Sequence, residues 1–398
     1  MSTQVPFFEY PRLWSDDREE FLSIIDNVSS SGGFILQKAV SDFESELANY
    51  AGSNYAVGVG NATDGMEIFL EAIGVNPGDE IIISSHTMLA TASAIKVAGG
   101  VPIPVDIGKD NLISIQAVED AITPNTVGIM PTQLNGRVCD MDAILAIAKK
   151  HALFIVEDAA QALGAKYKGQ HAGTFGMASD ISFFPAKVLG CLGDAGGVLV
   201  NDKDLYHQIF QLHDHGRDID GEVRRWGRNS RLDNIQAAIL SHKLKTYDKV
   251  IVRRREVAQM YQDRLELLDE LQLPAAPSTT SDNFDVYQNY ELTADNRDEL
   301  KTFLSEKNIG TLIQWGGTAV HQFTQLGFNQ VLPDTERFFE RCIMLPMNVF
   351  ISDTDVDAGG LEFDAVMGEP QGIIANATIT IGDFTITIEN PTGYIHVQ

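Results

Sequence analysis

A lysine in an apolar stretch is the feature that most constrains this chain. Lys187 comes directly after residues 182–186, which read Ser-Phe-Phe-Pro-Ala. The turn that follows is rich in glycine, with Gly190, Gly193, Gly196 and Gly197. Because burying an ammonium group is costly, this position needs a chemical reason. One reason is that a desolvated lysine loses its proton more readily and can then form a Schiff base with an aldehyde.

An aspartate upstream supplies the second part of such a site. Pyridoxal 5'-phosphate is the usual aldehyde in this chemistry, and its ring nitrogen needs a partner carboxylate. Asp158 stands at the end of the strand-like run 153–157. The residues therefore predict a pyridoxal-phosphate site in which Lys187 is the nucleophile and Asp158 faces the ring nitrogen.

Composition limits the class of protein and its partners. The chain has 398 residues, 44% of them hydrophobic, which is enough for two domains with a large core. With 55 acidic and 29 basic residues the net charge is -26, which argues against binding to nucleic acid or to an anionic membrane. No apolar run has membrane-spanning length and no signal pattern is seen, so we expect a cytoplasmic protein. The three cysteines have no ligand spacing, so no metal site is expected.

A strand, a turn and a helix near the start of the chain predict a phosphate site. Residues 55–59 form an apolar strand pattern, and apolar residues then recur with helical spacing from residue 66 to 73. The free N–H groups and the dipole of that helix would face an anion next to Ala62 and Thr63. Gly58 and Gly60 resemble a dinucleotide fingerprint, but Thr63 occupies the position of its third glycine, which disfavours a nicotinamide-binding fold.

Strand and helix patterns alternate between residues 80 and 201. Such alternation, with continuous apolar strands, predicts a mainly parallel sheet with helices on both faces. Ligands of these sheets bind beyond the carboxyl ends of the strands. Asp158, Gln161 and Met88 all follow predicted strands, so we expect them at one edge of the sheet.

Four segments are predicted along the chain. They are an N-terminal arm (residues 1–30), a large cofactor-binding domain (31–250), a smaller α/β C-terminal domain (251–356) and a β-rich tail (357–398). The small domain is expected to contain strands at 286–292 and 310–315. In the tail, alternating residues on both sides of a two-residue turn at 382–383 predict a β-hairpin.

Two polar segments have a functional and a structural interpretation. The cluster Arg224, Arg225, Arg228 and Arg231 is either a phosphate-binding island or a solvated loop, and charge alone does not decide. Residues 314–322 contain Trp315 and His321, and they are either a substrate-contacting lid or a turn with its tryptophan in the core.

Three motifs together resemble those of the DegT/DnrJ/EryC1/StrS family of pyridoxal-phosphate sugar aminotransferases. They are residues 157–161 (Glu-Asp-Ala-Ala-Gln), residues 182–187 (Ser-Phe-Phe-Pro-Ala-Lys) and the pair Gly193-Asp194. The resemblance extends from about residue 31 to residue 356. It implies the type I fold of aspartate aminotransferase, with a mainly parallel seven-stranded sheet between helices and a smaller C-terminal domain.

The resemblance also implies roles for individual residues. Lys187 would form the internal aldimine and later move a proton between the substrate carbon and the cofactor. Asp158 would keep the pyridinium nitrogen protonated, so that the ring accepts electrons. Gln161 would donate a hydrogen bond to the 3-oxygen of the ring.

Further family positions concern the phosphate, the partner subunit and the substrates. Ala62, Thr63 and Ser182 would hold the phosphate. Asn229 would reach it from a neighbouring subunit, which makes the protein a homodimer with shared active sites. The expected substrate-binding residues are Arg228, Arg231, Trp315 and His321.

The chain departs from the family pattern in two places. Met88 stands where the family commonly has an aromatic residue on the cofactor ring, and a methionine covers a ring less rigidly. In place of the helix that usually closes the small domain, residues from 357 onward have a glycine-rich and then a β pattern.

The resemblance implies amino transfer from L-glutamate to a nucleotide-linked keto-deoxysugar with ping-pong kinetics, as in the biosynthesis of deoxyaminosugars for polysaccharides or O-antigen. Family members that dehydrate sugars have histidine in place of the lysine, so Lys187 favours transamination. Two alternatives stay open: a transaminase of a non-sugar keto substrate such as a cyclitol, and a catalytically idle binding or structural protein of the same fold.

Overall fold

The computed structural model describes residues 5–351 and the strands Ala377–Ile381, Phe384–Glu389 and Tyr394–Val397. Its strands up to residue 200 are β1 Tyr55–Val59, β2 Glu80–Ser84, β3 Val101–Val105, β4 Thr126–Met130, β5 Phe154–Ile155, β6 Glu157–Asp158, β7 Lys166–Tyr167, β8 Gln170–His171, β9 Ala178–Ser182 and β10 Gly196–Val200. The helices up to residue 265 are α1 Tyr10–Asp16, α2 Arg18–Ser31, α3 Lys38–Ala51, α4 Ala62–Ile73, α5 Leu89–Val97, α6 Ile115–Asp120, α7 Met141–His151, α8 Lys203–His213, α9 Asn234–Leu244 and α10 Tyr247–Leu265. None of the described helices is long and apolar enough to cross a lipid bilayer.

The large domain is built on one sheet in the order β3-β2-β4-β5/β6-β9-β10-β1. Its two four-stranded halves meet where β5 and β6 form a single strand interrupted at Val156, whose N–H donates to the Ile129 carbonyl at 3.2 Å. Counting β5 and β6 as one strand gives seven strands. Only β10 is antiparallel to its neighbours. The predicted mainly parallel seven-stranded sheet is therefore confirmed.

Strand β2 shows why the sheet is covered on both faces. Ile81, Ile82 and Ile83 are all fully buried. Since side chains alternate across a strand, Ile82 joins the core that contains Phe43 of α3, while Ile81 and Ile83 join the core that contains Phe69 of α4. An apolar run without polar alternation is what such a central strand requires.

The small domain follows α10. Its elements are β11 Leu271–Gln272, β12 Asn283–Phe284, β13 Tyr290–Ala294, α11 Arg297–Glu306, α12 Pro333–Arg341 and β14 Cys342–Leu345. Strands β11, β13 and β14 form an antiparallel sheet, while β12 pairs with β7 of the large domain. Tyr261 and Tyr290 pack in its core with ring centroids 4.9 Å apart.

Both strands predicted in the small domain need correction. The strand predicted at 286–292 begins only at Tyr290, because the N–H groups of Val286 and Gln288 donate to Gly136 and Asn135 in a turn of the large domain. The strand predicted at 310–315 is reduced to a bridge between Leu312 and Met344 followed by a short 3-10 turn.

In the tail, β15 (Ala377–Ile381) and β16 (Phe384–Glu389) pair antiparallel, with Ile381 opposite Phe384. The predicted hairpin is thus confirmed. A third strand, β17 (Tyr394–Val397), pairs with β16 and was not predicted. Residues 352–376, where the sequence predicts the start of the tail and the loss of a closing helix, lie outside the described residues.

Candidate active site

A cavity of about 560 Å³ lies beyond the carboxyl ends of the central strands, where the large and small domains meet. The predicted site residues in its wall are Ala62, Thr63, Met88, Asp158, Gln161, Ser182, Lys187 and Trp315. Asn229, Arg228, Arg231 and His321 are not in the wall. Phe7 and Phe8 of the N-terminal arm also line the cavity, and no pattern in the sequence pointed to them.

Lys187 stands in the segment between β9 and β10. Its backbone N–H donates to the Phe184 carbonyl at 2.8 Å, which makes a tight turn at the floor of the cavity. Burial lowers the pKa of the Lys187 ammonium, while the carboxylates of Asp158 and Asp180 act in the opposite direction. The side chain is therefore brought closer to the neutral amine that a nucleophile requires.

The turn that carries Lys187 is held from the small domain. The side-chain amide of Gln288 donates to the Ala186 carbonyl and accepts from the Val188 N–H, both at 2.9 Å. Gln288 is almost fully buried. It thereby fixes the backbone on both sides of Lys187.

The carboxylate of Asp158 is held by hydrogen bonds from three neighbouring groups. One carboxylate oxygen, Oδ2, accepts from the Thr91 hydroxyl at 2.6 Å and makes a longer contact of 3.5 Å with the Thr132 hydroxyl. The other, Oδ1, accepts from the Ala160 N–H at 3.2 Å. Neither threonine was predicted from the sequence. Thr132 follows β4 at the expected edge of the sheet, and Thr91 lies in α5, the helix that follows β2.

The predicted phosphate turn has the required local structure. Helix α4 begins at Ala62, and Asn61 caps it by accepting from the Asp64 N–H at 2.9 Å. The first N–H groups of a helix have no partner within the helix, so those of Ala62 and Thr63 are available to an anion. Gly196 of β10 lies behind the turn, where a β-carbon would come within 2.5 Å of the Asn61 backbone. This glycine lets the turn sit directly against the sheet.

Two side chains could cover a flat ligand. Met88, at the start of α5, is 55% exposed and lines the cavity. Trp315 lines the opposite domain's side of the cavity, and its ring meets the buried ring of His86 edge-on at 5.4 Å. Trp315 is therefore part of the cavity wall and also packs against a buried residue, while its contact with substrate stays a prediction.

Three of the four arginines of the predicted basic island, Arg224, Arg228 and Arg231, make ion pairs within the chain. Arg228 contacts Glu67 at 2.7 Å and Glu71 at 2.5 Å, both on α4. Arg231 contacts Asp214 at 3.0 Å. Neither guanidinium reaches the cavity wall, so a substrate-binding role stays a prediction.

The other two predicted residues also lie away from the cavity. His321 is buried, with Nδ1 2.7 Å from the Ser85 hydroxyl and Nε2 3.2 Å from Glu336. Asn229 is exposed. Its neighbour Ser230 accepts from the Gly60 N–H at 3.0 Å, which brings this loop next to the phosphate turn.

The donor set of the cavity fits pyridoxal phosphate. One wall offers free helix N–H groups and the Ser182 hydroxyl for a phosphate, the floor offers an amine, and Asp158 offers an oriented carboxylate for a ring nitrogen. The described residues contain no group of three or more His, Cys, Asp or Glu side chains that could hold a metal ion. A phosphate, an aldehyde and a ring nitrogen are the groups that these donors and acceptors would complement.

The chain is similar to known proteins of one family. The model of the DegT/DnrJ/EryC1/StrS aminotransferase family matches residues 15–358. A "Pleiotropic regulatory protein" of Geobacillus stearothermophilus is 38% identical over 86% of this chain and 93% of its own length. The dTDP-3-amino-3,4,6-trideoxy-alpha-D-glucose transaminase of Streptomyces venezuelae is 36% identical over 78% of this chain and 82% of its own length.

A solved structure gives the same result for the fold. The S. venezuelae protein DesV, in complex with a ketimine intermediate, superposes with a TM-score of 0.84 and 34% identity. The match covers 89% of this chain and 95% of DesV. The chain is therefore a member of the DegT/DnrJ/EryC1/StrS aminotransferase family.

Proposed function

We propose that the protein is a pyridoxal-phosphate aminotransferase that moves an amino group from L-glutamate to a keto group of a nucleotide-linked deoxysugar. The observation that carries the proposal is the position of Lys187, a half-buried lysine whose pKa is lowered by desolvation and which lines the same cavity as the carboxylate of Asp158. The family membership and the name of the S. venezuelae transaminase support it.

Each residue of the cavity would then have a defined task. When bound, the cofactor supplies an electron-accepting ring that stabilises negative charge on the substrate carbon. Lys187 Nζ holds the cofactor and afterwards carries the proton to and from that carbon. Asp158 keeps a proton on the ring nitrogen, and the hydroxyl of Thr91 fixes the direction of its carboxylate.

The phosphate would be held by the helix end and a hydroxyl. The N–H groups of Ala62 and Thr63 would donate to the phosphate together with Ser182. Gln161 would donate to the ring oxygen. Met88 and Trp315 would cover the cofactor ring and the bound keto substrate from two sides and so exclude water.

The active sites would be shared in a homodimer. In this arrangement Asn229 reaches the phosphate of the neighbouring subunit, and the basic island lies near the substrate's diphosphate. Trp226, in the same loop, is 95% exposed in a single chain, and a tryptophan so exposed is better accommodated against a second copy. We place the enzyme in the cytoplasm, where nucleotide sugars are made.

An acceptor screen tests the substrate class. The purified protein is incubated with L-glutamate and either a nucleotide-linked keto sugar or a keto cyclitol, and 2-oxoglutarate is measured. We expect 2-oxoglutarate to accumulate only with the nucleotide sugar. Accumulation with the cyclitol alone would favour the non-sugar transaminase instead.

A second candidate function is regulatory binding without turnover. It is favoured by the name of the Geobacillus relative, a pleiotropic regulatory protein. In that case the protein would bind a nucleotide sugar but release no 2-oxoglutarate with any acceptor. Retention of Lys187, Asp158 and the phosphate turn favours catalysis.

A further inference from the structure

The orientation of Gln161 is fixed by a neighbouring backbone group. Its side-chain oxygen Oε1 accepts from the Asn135 N–H at 2.8 Å. A side-chain amide has an acceptor on one side and a donor on the other. Because the acceptor is engaged, the group that Gln161 can offer to the cavity is its N–H donor.

Asn135 is held in a special conformation. Its φ is +55°, in the left-handed region that asparagine tolerates better than most residues. Its carbonyl accepts from the Gln288 N–H at 2.9 Å, and its side-chain oxygen accepts from the Asn289 amide at 2.8 Å. The turn that presents the N–H to Gln161 is thus fixed from the small domain.

The strongest of these contacts comes from Glu291. The Asn135 side-chain amide donates to Glu291 Oε2 at 2.6 Å. Gln314, in the amide orientation that its neighbours require, donates to both carboxylate oxygens of Glu291 at 3.1 and 3.2 Å. Glu291 is only 4% exposed, so its charge is supported mainly by these side chains.

A histidine faces the same carboxylate. His86 Nδ1 lies 3.0 Å from the Asn111 carbonyl, and since a carbonyl only accepts, this nitrogen carries a proton. His86 Nε2 lies 3.4 Å from Glu291 Oε2, and both side chains are nearly or fully buried. Nε2 has no hydrogen-bond partner among the described residues, so the Glu291 carboxylate relies on the side-chain amides of Asn135 and Gln314.

We propose that Glu291 is a positioning residue for the cofactor, acting through Asn135 on the side-chain orientation of Gln161. This inference rests on the proposed function, because it assigns the freed N–H of Gln161 to the oxygen on the cofactor ring. Glu291 belongs to β13 of the small domain, whereas Gln161 belongs to the large domain. The hydrogen bond to the cofactor therefore depends on the small domain being in place.

The first test is the pH titration of the visible absorption band of the lysine-bound cofactor. Donation to the ring oxygen stabilises its negative charge, so losing it should raise the titration midpoint, by about one pH unit. We expect this shift in Glu291→Leu and in Asn135→Gly, which keeps the left-handed turn but loses the side-chain contacts. Glu291→Gln, which still accepts from Asn135, should shift the midpoint less.

Thr293→Val is the matched control. Thr293 lies on the same strand and is buried, and its hydroxyl makes no hydrogen bond among the described residues. A midpoint that is the same in wild type, Thr293→Val, Glu291→Leu and Asn135→Gly would overturn the proposal. Asn135→Gly keeps the test valid should Glu291→Leu fail to fold.

A second readout needs no cofactor. Amide hydrogen exchange of residues 133–137 should be about tenfold faster in Glu291→Leu than in Thr293→Val, because the turn loses its anchor. Unchanged exchange would contradict the proposal on its own. Failure of the wild type to bind pyridoxal phosphate would instead contradict the proposed function, so the two failures are distinguishable.

Discussion

Gln288 brackets Lys187 although the two residues belong to different domains. Its side-chain amide donates a hydrogen bond to the Ala186 carbonyl and accepts one from the Val188 N–H. These two residues are the neighbours of the lysine in the chain. Lys187, the proposed nucleophile, is thus held on the large domain by a side chain of the small domain. Preorganisation of this kind fixes the position of a reacting atom before substrate arrives.

Removing the two hydrogen bonds of the Gln288 side chain should impair turnover more than folding. In Gln288→Ala the turn loses both bonds, and a displacement of about 1 Å at the reacting atom costs on the order of 10²-fold in rate. We expect kcat to fall by about that factor. The control is Gln116→Ala, which removes an exposed glutamine that bonds only Asp120. Equal kcat values for the two variants would refute the assignment.

The hydroxyl of Thr91 should contribute to cofactor affinity. Thr91→Val removes the 2.6 Å donor to Asp158 at nearly constant volume. Hydrogen bonds to charged groups contribute about 1.5–3 kcal/mol, so the Kd for pyridoxal phosphate should rise about 10- to 100-fold. Fluorescence titration of the cofactor-free protein measures this. Thr302→Val, at an exposed helix position, should leave the Kd unchanged.

The burial of Asp180 leads us to expect that the stability of the protein depends on pH. Asp180 is fully buried beside Asp158 in the register of β6 and β9, and neither of its carboxylate oxygens has a hydrogen-bond partner among the described residues. Burial, and then the charge of Asp158, raise its pKa well above the usual value. The folded state therefore keeps a proton that the unfolded state releases above about pH 4.

This difference in proton binding sets the direction in which the free energy of unfolding changes with pH. As pH rises from about 4 toward the folded-state pKa, the carboxyl of Asp180 should lower the free energy of unfolding by at most about 1.4 kcal/mol per pH unit. Asp180→Asn cannot ionise, so its stability advantage over wild type should grow with pH. Urea unfolding of the cofactor-free proteins at pH 5 and pH 8 measures it, with the exposed Asp26→Asn as control. An advantage that is independent of pH would contradict the argument.

Shared active sites can be tested by mixing two defective variants. Lys187→Ala removes the nucleophile, and Asn229→Asp places a negative charge against the phosphate. If Asn229 serves the neighbouring subunit, random mixed dimers contain one intact site, and about a quarter of wild-type activity should return. If Asn229 serves its own subunit, the mixture will be no more active than the separate variants.

The sequence predicted those parts of the site that depend on local pattern and on the edge rule of parallel sheets. Asp158 ends β6, Lys187 and the start of α4 follow β9 and β1, and all three line one cavity. The partners of these residues were not predictable in the same way. Gln288 lies 100 residues from Val188, and Glu291 lies 156 residues from Asn135, so no periodicity relates them.

The strand predicted at residues 286–292 was wrong for the same reason, because contacts with residues far away in the chain decide its structure. Its residues have a strand-like pattern, but the backbone of Val286 and Gln288 bonds a turn of the large domain instead of a neighbouring strand. This position explains why the segment carries the polar side chains Gln288, Asn289 and Glu291. They face the domain interface, where amides and a carboxylate can be satisfied by the opposite domain.

Lys187 is proposed to bind the cofactor covalently, and L-glutamate is proposed to convert the bound cofactor to its amine form. The most direct measurement is the visible absorption spectrum of the protein with pyridoxal phosphate, before and after L-glutamate, for wild type and Lys187→Ala. We predict that wild type shows the band of the lysine-bound cofactor, that glutamate converts it to the amine form, and that Lys187→Ala never shows it. A wild-type protein that stays colourless with added cofactor, or a Lys187→Ala variant that shows the wild-type band before glutamate is added, would contradict covalent binding by Lys187.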